Sequence, residues 1–175
     1  MSEELNNFVA QLRKFETTLP KKPPIKKAED LLSTSYPDDI LPFDLYRGKR
    51  GNITKIGDQI NKAYYFEIYD GCAVLMRHLI EMLLVLAFKE HKIESEIKGP
   101  NGNYYDLSGI ISVAKTNLTL DLSRIAKDYL EPFREKGNLS AHNIFYNARK
   151  KDLEPYQPKF RALVEELLYK AGIIK

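Results

Sequence analysis

Apolar residues recur at helical spacing along most of the chain. Leu5, Phe8, Val9, Leu12 and Phe15 form one amphipathic stripe that ends before Pro20, which predicts an N-terminal helix within residues 1–19. The run Pro-Lys-Lys-Pro-Pro-Ile-Lys-Lys at 20–27 cannot continue a helix and reads as extended. A short helix fits Ala28 to Leu32. Residues 36–52 carry Pro37, Pro42, Gly48 and Gly51 and read as irregular. Residues 20–52 are therefore expected to be a basic, Pro/Gly-rich connector, wrapped over the core or partly mobile.

From Ile53 to about His91 the pattern is helical again, as one long element or two joined near Asp70-Gly71. Between Ile60 and Phe88 apolar residues fall on every face, which predicts a central, buried position. Residues 98–106 read as a loop. Asp106 is placed to cap a helix carrying Leu107, Ile110, Ile111 and Ala114. Asp121 is placed to cap the next, with Leu122, Ile125, Tyr129 and Phe133 inward and Pro132 expected to bend or restart it. Gly137 and Asn138 are expected to stop it. A last helix carries Phe160, Leu163, Val164, Leu167, Leu168 and Ala171, with Gly172 as its C-terminal stop. The aromatic run from Tyr64 to Tyr69 would suit a strand by composition, but the helical pattern continues through it. The expected fold is all-α: an antiparallel bundle of about five helices over residues 53–175.

Composition narrows the class. At 175 residues, with 43% hydrophobic and 29% charged residues, the chain suits a globular protein with one sizeable core. The net charge of +3 permits an anionic partner without demanding one. Cys72 is the single cysteine, so an internal disulfide and a cysteine-rich metal site are excluded; in its apolar run it reads as a small buried hydrophobe. The acidic, polar start is unlike a secretory signal. The uninterrupted apolar stretch Met82 to Phe88 is too short to span a bilayer, so a cytoplasmic protein without a membrane partner is expected.

Two places carry candidate chemistry. Arg77 and Glu81 stand at i, i+4 on the most apolar helix, where a charge must be paired or reach a solvated cleft. The structural reading is a buried ion pair; the functional one is Arg77 as an anion ligand. His78 reads as a hydrogen-bonded core histidine and His91 as a surface residue near a helix end. The second place is Arg134-Glu-Lys-Gly-Asn-Leu-Ser-Ala-His142. An amide and an imidazole four apart share a face in a helix. A group that exchanges protons near neutral pH beside Arg134 and Lys136 suits phosphate chemistry. Read as structure alone, the same residues are a helix end with a packed histidine. No phosphate-binding Gly-rich loop, His-Glu-x-x-His or EF-hand loop is present in the sequence, so no cofactor or metal is indicated.

The helix Ala-Val-Leu-Met-Arg-His-Leu-Ile-Glu-Met-Leu-Leu at 73–84, followed by Phe-Arg-Glu-Lys-Gly-Asn-Leu-Ser-Ala-His at 133–142, resembles the HEPN superfamily. More narrowly, it resembles a prokaryotic branch of unknown function marked by an Arg-x-x-x-Glu helix and a Gly-Asn-x-x-x-His signature. The resemblance covers roughly residues 55–175. It implies a metal-independent endoribonuclease of a defence or toxin type, with a site often shared across a homodimer. His142 matches the motif histidine and Asn138 its polar position. The motif arginine falls on Gly137, a departure that leaves Arg134 or Lys136 as the nearest cations. Other members bind nucleic acid or protein without cleaving, so a non-catalytic dimerisation or interaction module, partnering a protein of such a system, is the alternative. Lys136, the cluster Arg47, Lys49 and Arg50 with Tyr46 beside it, and Arg149 near Tyr146 are the basic positions that could contact RNA.

Overall fold

The computed structural model describes residues 36 and 38–175. The expected N-terminal helix, the Pro-rich run and the short helix at 28–32 lie outside the described residues. The rest is all-helical, a bundle built on five longer helices. After a one-turn helix α1 (Phe43–Tyr46) come α2 (Gly51–Tyr65), α3 (Tyr69–Glu90), α4 (Leu107–Thr116) and α5 (Arg124–His142). A short α6 (Lys150–Leu153) leads through a 3-10 turn into α7 (Gln157–Lys170). Among the described residues no strand occurs; a single antiparallel bridge joins Lys98 to Tyr104 in the loop before α4.

Helix α3 is the hub, packed on α2, α5, α7 and α4. Its Met76, Leu79, Leu83, Leu84 and Phe88 are fully buried. By length and composition alone α3 could cross a bilayer, but half of its most apolar window is buried inside the bundle, as in the core helix of a folded domain. The expected join near Asp70-Gly71 falls slightly earlier. Helix α2 ends at Tyr65, and Glu67 takes φ 63°, the left-handed turn that reverses the chain. The hairpin is antiparallel: the Cys72 thiol points to the Ile60 carbonyl, and the Asn52 amide meets the Met82 sulfur. Burial pushes the Cys72 thiol up to about 12, so it packs as a neutral group.

Several local readings are corrected. Asp106 does cap α4, accepting from the Gly109 N–H at 2.8 Å. Helix α5, however, is capped by Ser123 rather than Asp121: the Ser123 Oγ accepts from the Ala126 N–H, while Glu166 of α7 accepts from both the N–H and the hydroxyl of Ser123. Ile125 is 59% exposed because it lies off the buried stripe of Ala126, Leu130, Phe133 and Gly137, which turns that position outward. His78 is exposed rather than in the core. Pro132 neither stops nor restarts α5, which runs through it.

The described end of the connector is packed against the bundle. Ile40, Leu41 and Tyr46 are fully buried. Asn61, itself buried, mimics a neighbouring backbone: its Oδ1 accepts from the Leu41 N–H at 3.0 Å and its Nδ2 donates to the Leu41 carbonyl at 2.9 Å. Arg161 of α7 donates to the carbonyls of Ile40 and Asp39. The Tyr46 hydroxyl donates to Asp58, and its ring lies where a side chain at Gly57 would stand. Burial and the Asp58 carboxylate push the Tyr46 phenol well up. Asn61→Leu should cost roughly 2–4 kcal/mol, because two buried backbone groups of residue 41 lose their partners. Urea denaturation reads this directly; a loss below about 0.5 kcal/mol, the size of an ordinary surface change, would show that the clamp is not needed.

The loop before α4 is held by one carboxylate. Glu94 accepts from the Tyr104 hydroxyl and pairs with Lys98 at 2.9 Å and Lys89 at 3.6 Å. That hydrogen bond, then the lysines, hold its carboxyl well below the usual carboxylate range. A depressed folded pKa stabilises above the unfolded value and is lost as pH falls towards the folded one. Glu94→Gln should therefore lower the melting temperature at neutral pH, and the gap to the native chain should close as pH drops below about 4.5. A gap that stays constant down to acid pH would remove Glu94 from this role.

Candidate functional site

Helix α5 positions the signature residues. Its Ala126, Leu130, Phe133 and Gly137 recur at three- and four-residue intervals and are buried against the bundle. The helix does not stop at Gly137-Asn138; it continues to His142. The glycine serves a close approach instead. A Cβ there would stand 2.5 Å from the Cβ of Arg77 and 2.8 Å from its Cδ, so the aliphatic stem of Arg77 fills the space a side chain at 137 would need.

Arg77 reaches past this notch to Glu81, with Nη1 3.6 Å from Oε2. The two side chains are 29% and 32% exposed, so the pair sits at the edge of the core rather than inside it. The reason is rotation: the stem of Arg77 is covered by α5 while its head emerges at the crossing. Its Nε is buried without a hydrogen-bond partner.

On the opposite side of α5, Asn138 and His142 share a face, together with Glu135 and Leu139. With Asn143 and Ile144 they line an open cavity of about 810 Å³. His142 is exposed and ends the helix. Beyond it, Ile144 and Phe145 are 87% and 93% exposed. The structure thus brings Asn138 and His142 together in a solvent-open hollow and does not bury His142 as a packing residue.

The cations proposed for this site are elsewhere. Arg134 does not line the hollow; its Nε donates to Glu131 at 2.6 Å, and a second guanidinium nitrogen pairs with the same carboxylate. This partner raises its pKa further. Lys136 turns to the other flank and lies over the Tyr156 ring at 4.1 Å. Arg47 lies over Phe43 and pairs with Asp58 at 3.5 Å, a structural role in the connector. Arg50 is the N-cap of α2, with Lys49 just before it, and Arg149 is the N-cap of α6, its N–H donating to Asp152. None of these three lines the hollow.

Sequence reasoning missed Glu135 and Leu139 as wall residues. Extending the Asn138/His142 phase back by three residues from each would have found them. It had no signal for Asn143 and Ile144, which reach the hollow because the chain turns after His142. Among the described residues no group of three or more His, Cys, Asp or Glu is placed to hold a metal ion. No protein-family model, curated protein or solved structure matches the chain.

An exposed helical Gly→Ala change stabilises by removing backbone freedom. Gly137→Ala should do the opposite and cost about 1–3 kcal/mol, because overpacking forces α3 and α5 apart. Thermal and urea unfolding check this; a more stable variant would show that Arg77 swings aside freely.

Proposed function

We propose that the chain is a HEPN-like, RNA-associated protein that acts as a homodimer, with the α5 hollow as the reaction site of a metal-independent endoribonuclease. The observation that carries this reading is that Asn138 and His142 share the wall of one open cavity. In the reaction the 2′-hydroxyl attacks its neighbouring phosphorus while the bond to the 5′-oxygen breaks. His142 takes the 2′ proton and returns one to the leaving oxygen, and Asn138 positions a phosphate oxygen. The product is a 2′,3′-cyclic phosphate and a free 5′-hydroxyl.

Electrostatics argue that one protomer is not enough. The hollow lies at the C-terminal end of a 19-residue helix, where the backbone dipole is negative, and Glu135 adds a carboxylate. An anionic transition state there needs a cation. Arg134 is held by Glu131, and Gly137 leaves the motif position empty of charge. A second copy supplies what is missing, and the exposed Leu139, Ile144 and Phe145 beside the hollow offer the apolar surface for it.

The same apolar rim and the same lack of a cation favour a second reading: a non-catalytic module that dimerises, or docks a protein of a defence or toxin system, through this face. Labelled RNA incubated with purified protein in chelator separates the two. On the first reading His142→Ala lowers cleavage by about 10²–10⁴-fold, and Asn138→Ala also impairs it. The melting temperature should hold, since His142 is exposed. A protein that never cuts varied RNAs, yet loses self-association when Phe145 is changed to Ser, is the interaction module.

A further inference from the structure

The groove between α5 and α7 carries a cluster that the hollow does not use. The two helices run antiparallel, Ser123 meeting Glu166, Tyr129 meeting Lys159 and Lys136 meeting Tyr156. Tyr156 rests edge-on against buried Phe133, ring centroids 5.9 Å apart. Over its ring stand two ammonium groups, Lys136 at 4.1 Å and Lys159 at 5.2 Å from the centroid. Lys159 also lies 4.9 Å from the Tyr129 centroid. Among the described residues, neither lysine has a carboxylate within ion-pair distance. The acid on this flank of α7, Glu166, is engaged by Ser123, and Lys170 by the Asp121 carbonyl.

We infer that this groove binds single-stranded RNA, with Lys136 and Lys159 taking backbone phosphates and Tyr129 and Tyr156 taking bases. Two like charges over one ring repel each other, and it is the rings of Tyr156 and, for Lys159, Tyr129 that hold them there. Backbone phosphates bound one to each lysine remove the repulsion. Both lysines sit on flexible stems and turn outward without disturbing either helix. The ring faces they leave are then open to stacking, the stronger of the two contacts. A duplex keeps its bases stacked on one another and cannot use the rings; an acidic peptide meets the lysines but gains nothing from the tyrosines. Lys136 precedes His142 by six positions on the same helix, about 9 Å along the axis. A strand held in the groove and passing over α5 therefore leads into the hollow. This assignment rests on the RNA reading of the previous section and adds a binding track to it.

The test uses the full chain and a short fluorescein-labelled 2′-O-methyl oligouridylate, which cannot be cleaved by 2′-hydroxyl attack. Anisotropy is followed across a salt titration. The Lys136→Gln/Lys159→Gln double variant should bind about ten-fold more weakly at low salt, and its log–log salt slope should fall by about 1.4, two phosphate contacts on a single strand. Tyr156→Leu, checked for folding by circular dichroism, should weaken binding while leaving that slope unchanged. If the native chain binds and the double variant matches it in affinity and slope, the groove is not the track, although the RNA reading stands. If the native chain does not bind at all, both fall. Polyglutamate displacing the oligonucleotide at equal charge would make the groove an acidic-peptide site and overturn the assignment.

Discussion

Arg77 lying across Gly137 sets the rest of the structure. The contact is at the crossing of α3 and α5, and it admits no side chain at 137. With that face of α5 pressed to the core, the face opposite it is left to solvent. Asn138 and His142 are on it because they lie one and five residues beyond the notch. The same rotation sends Lys136 to the α7 flank and leaves Arg134 beside Glu131. A second glycine repeats the device at smaller scale, where Gly57 makes room for the Tyr46 ring and lets the connector seat on α2.

The two faces of α5 have opposite electrostatic character. The hollow combines a negative helix end with Glu135 and an apolar rim, and it is poor at attracting an anion. The α7 flank holds over its tyrosine rings two lysines that, among the described residues, have no carboxylate partner. On the proposed function, this separation would put attraction and chemistry on different surfaces, each tunable without spoiling the other. It also explains why a basic cluster adjacent in sequence to a histidine is a poor guide to what surrounds that histidine in space.

The architecture was legible from periodicity because long helices with buried stripes leave a strong 3.6-residue signal. The hub role of α3, the Asp106 cap and the stripe of α7 were all readable this way. Gly137 misled because a glycine followed by an asparagine has the local chemistry of a helix stop. Here it stays inside the helix and admits the stem of a residue sixty positions earlier, which no local rule sees. Asp121 misled for a related reason: two cap-competent residues stood two apart, and the choice of Ser123 was made by Glu166 on another helix. The Asn138/His142 pairing could be read from spacing. The exclusion of Arg134 and the convergence of Lys159 and Tyr156 could not, since both depend on which way a side chain turns once its neighbours are packed.

Pro132 gives α5 an uneven mechanical character. It has no N–H to donate, so the carbonyl one turn earlier, at Asp128, loses its helical partner on a helix that otherwise runs unbroken from Arg124 to His142. The half before it is anchored at Ser123 by Glu166; the half after it is held chiefly by Phe133 and by the Gly137 notch, and its last turn carries the hollow. The weakest rung of the helix thus lies between an anchored segment and the one that lines the hollow. Amide protons of the terminal turn can exchange by local opening while the anchored half stays closed. The end that lines the hollow can therefore open at little expense to the stability of the bundle.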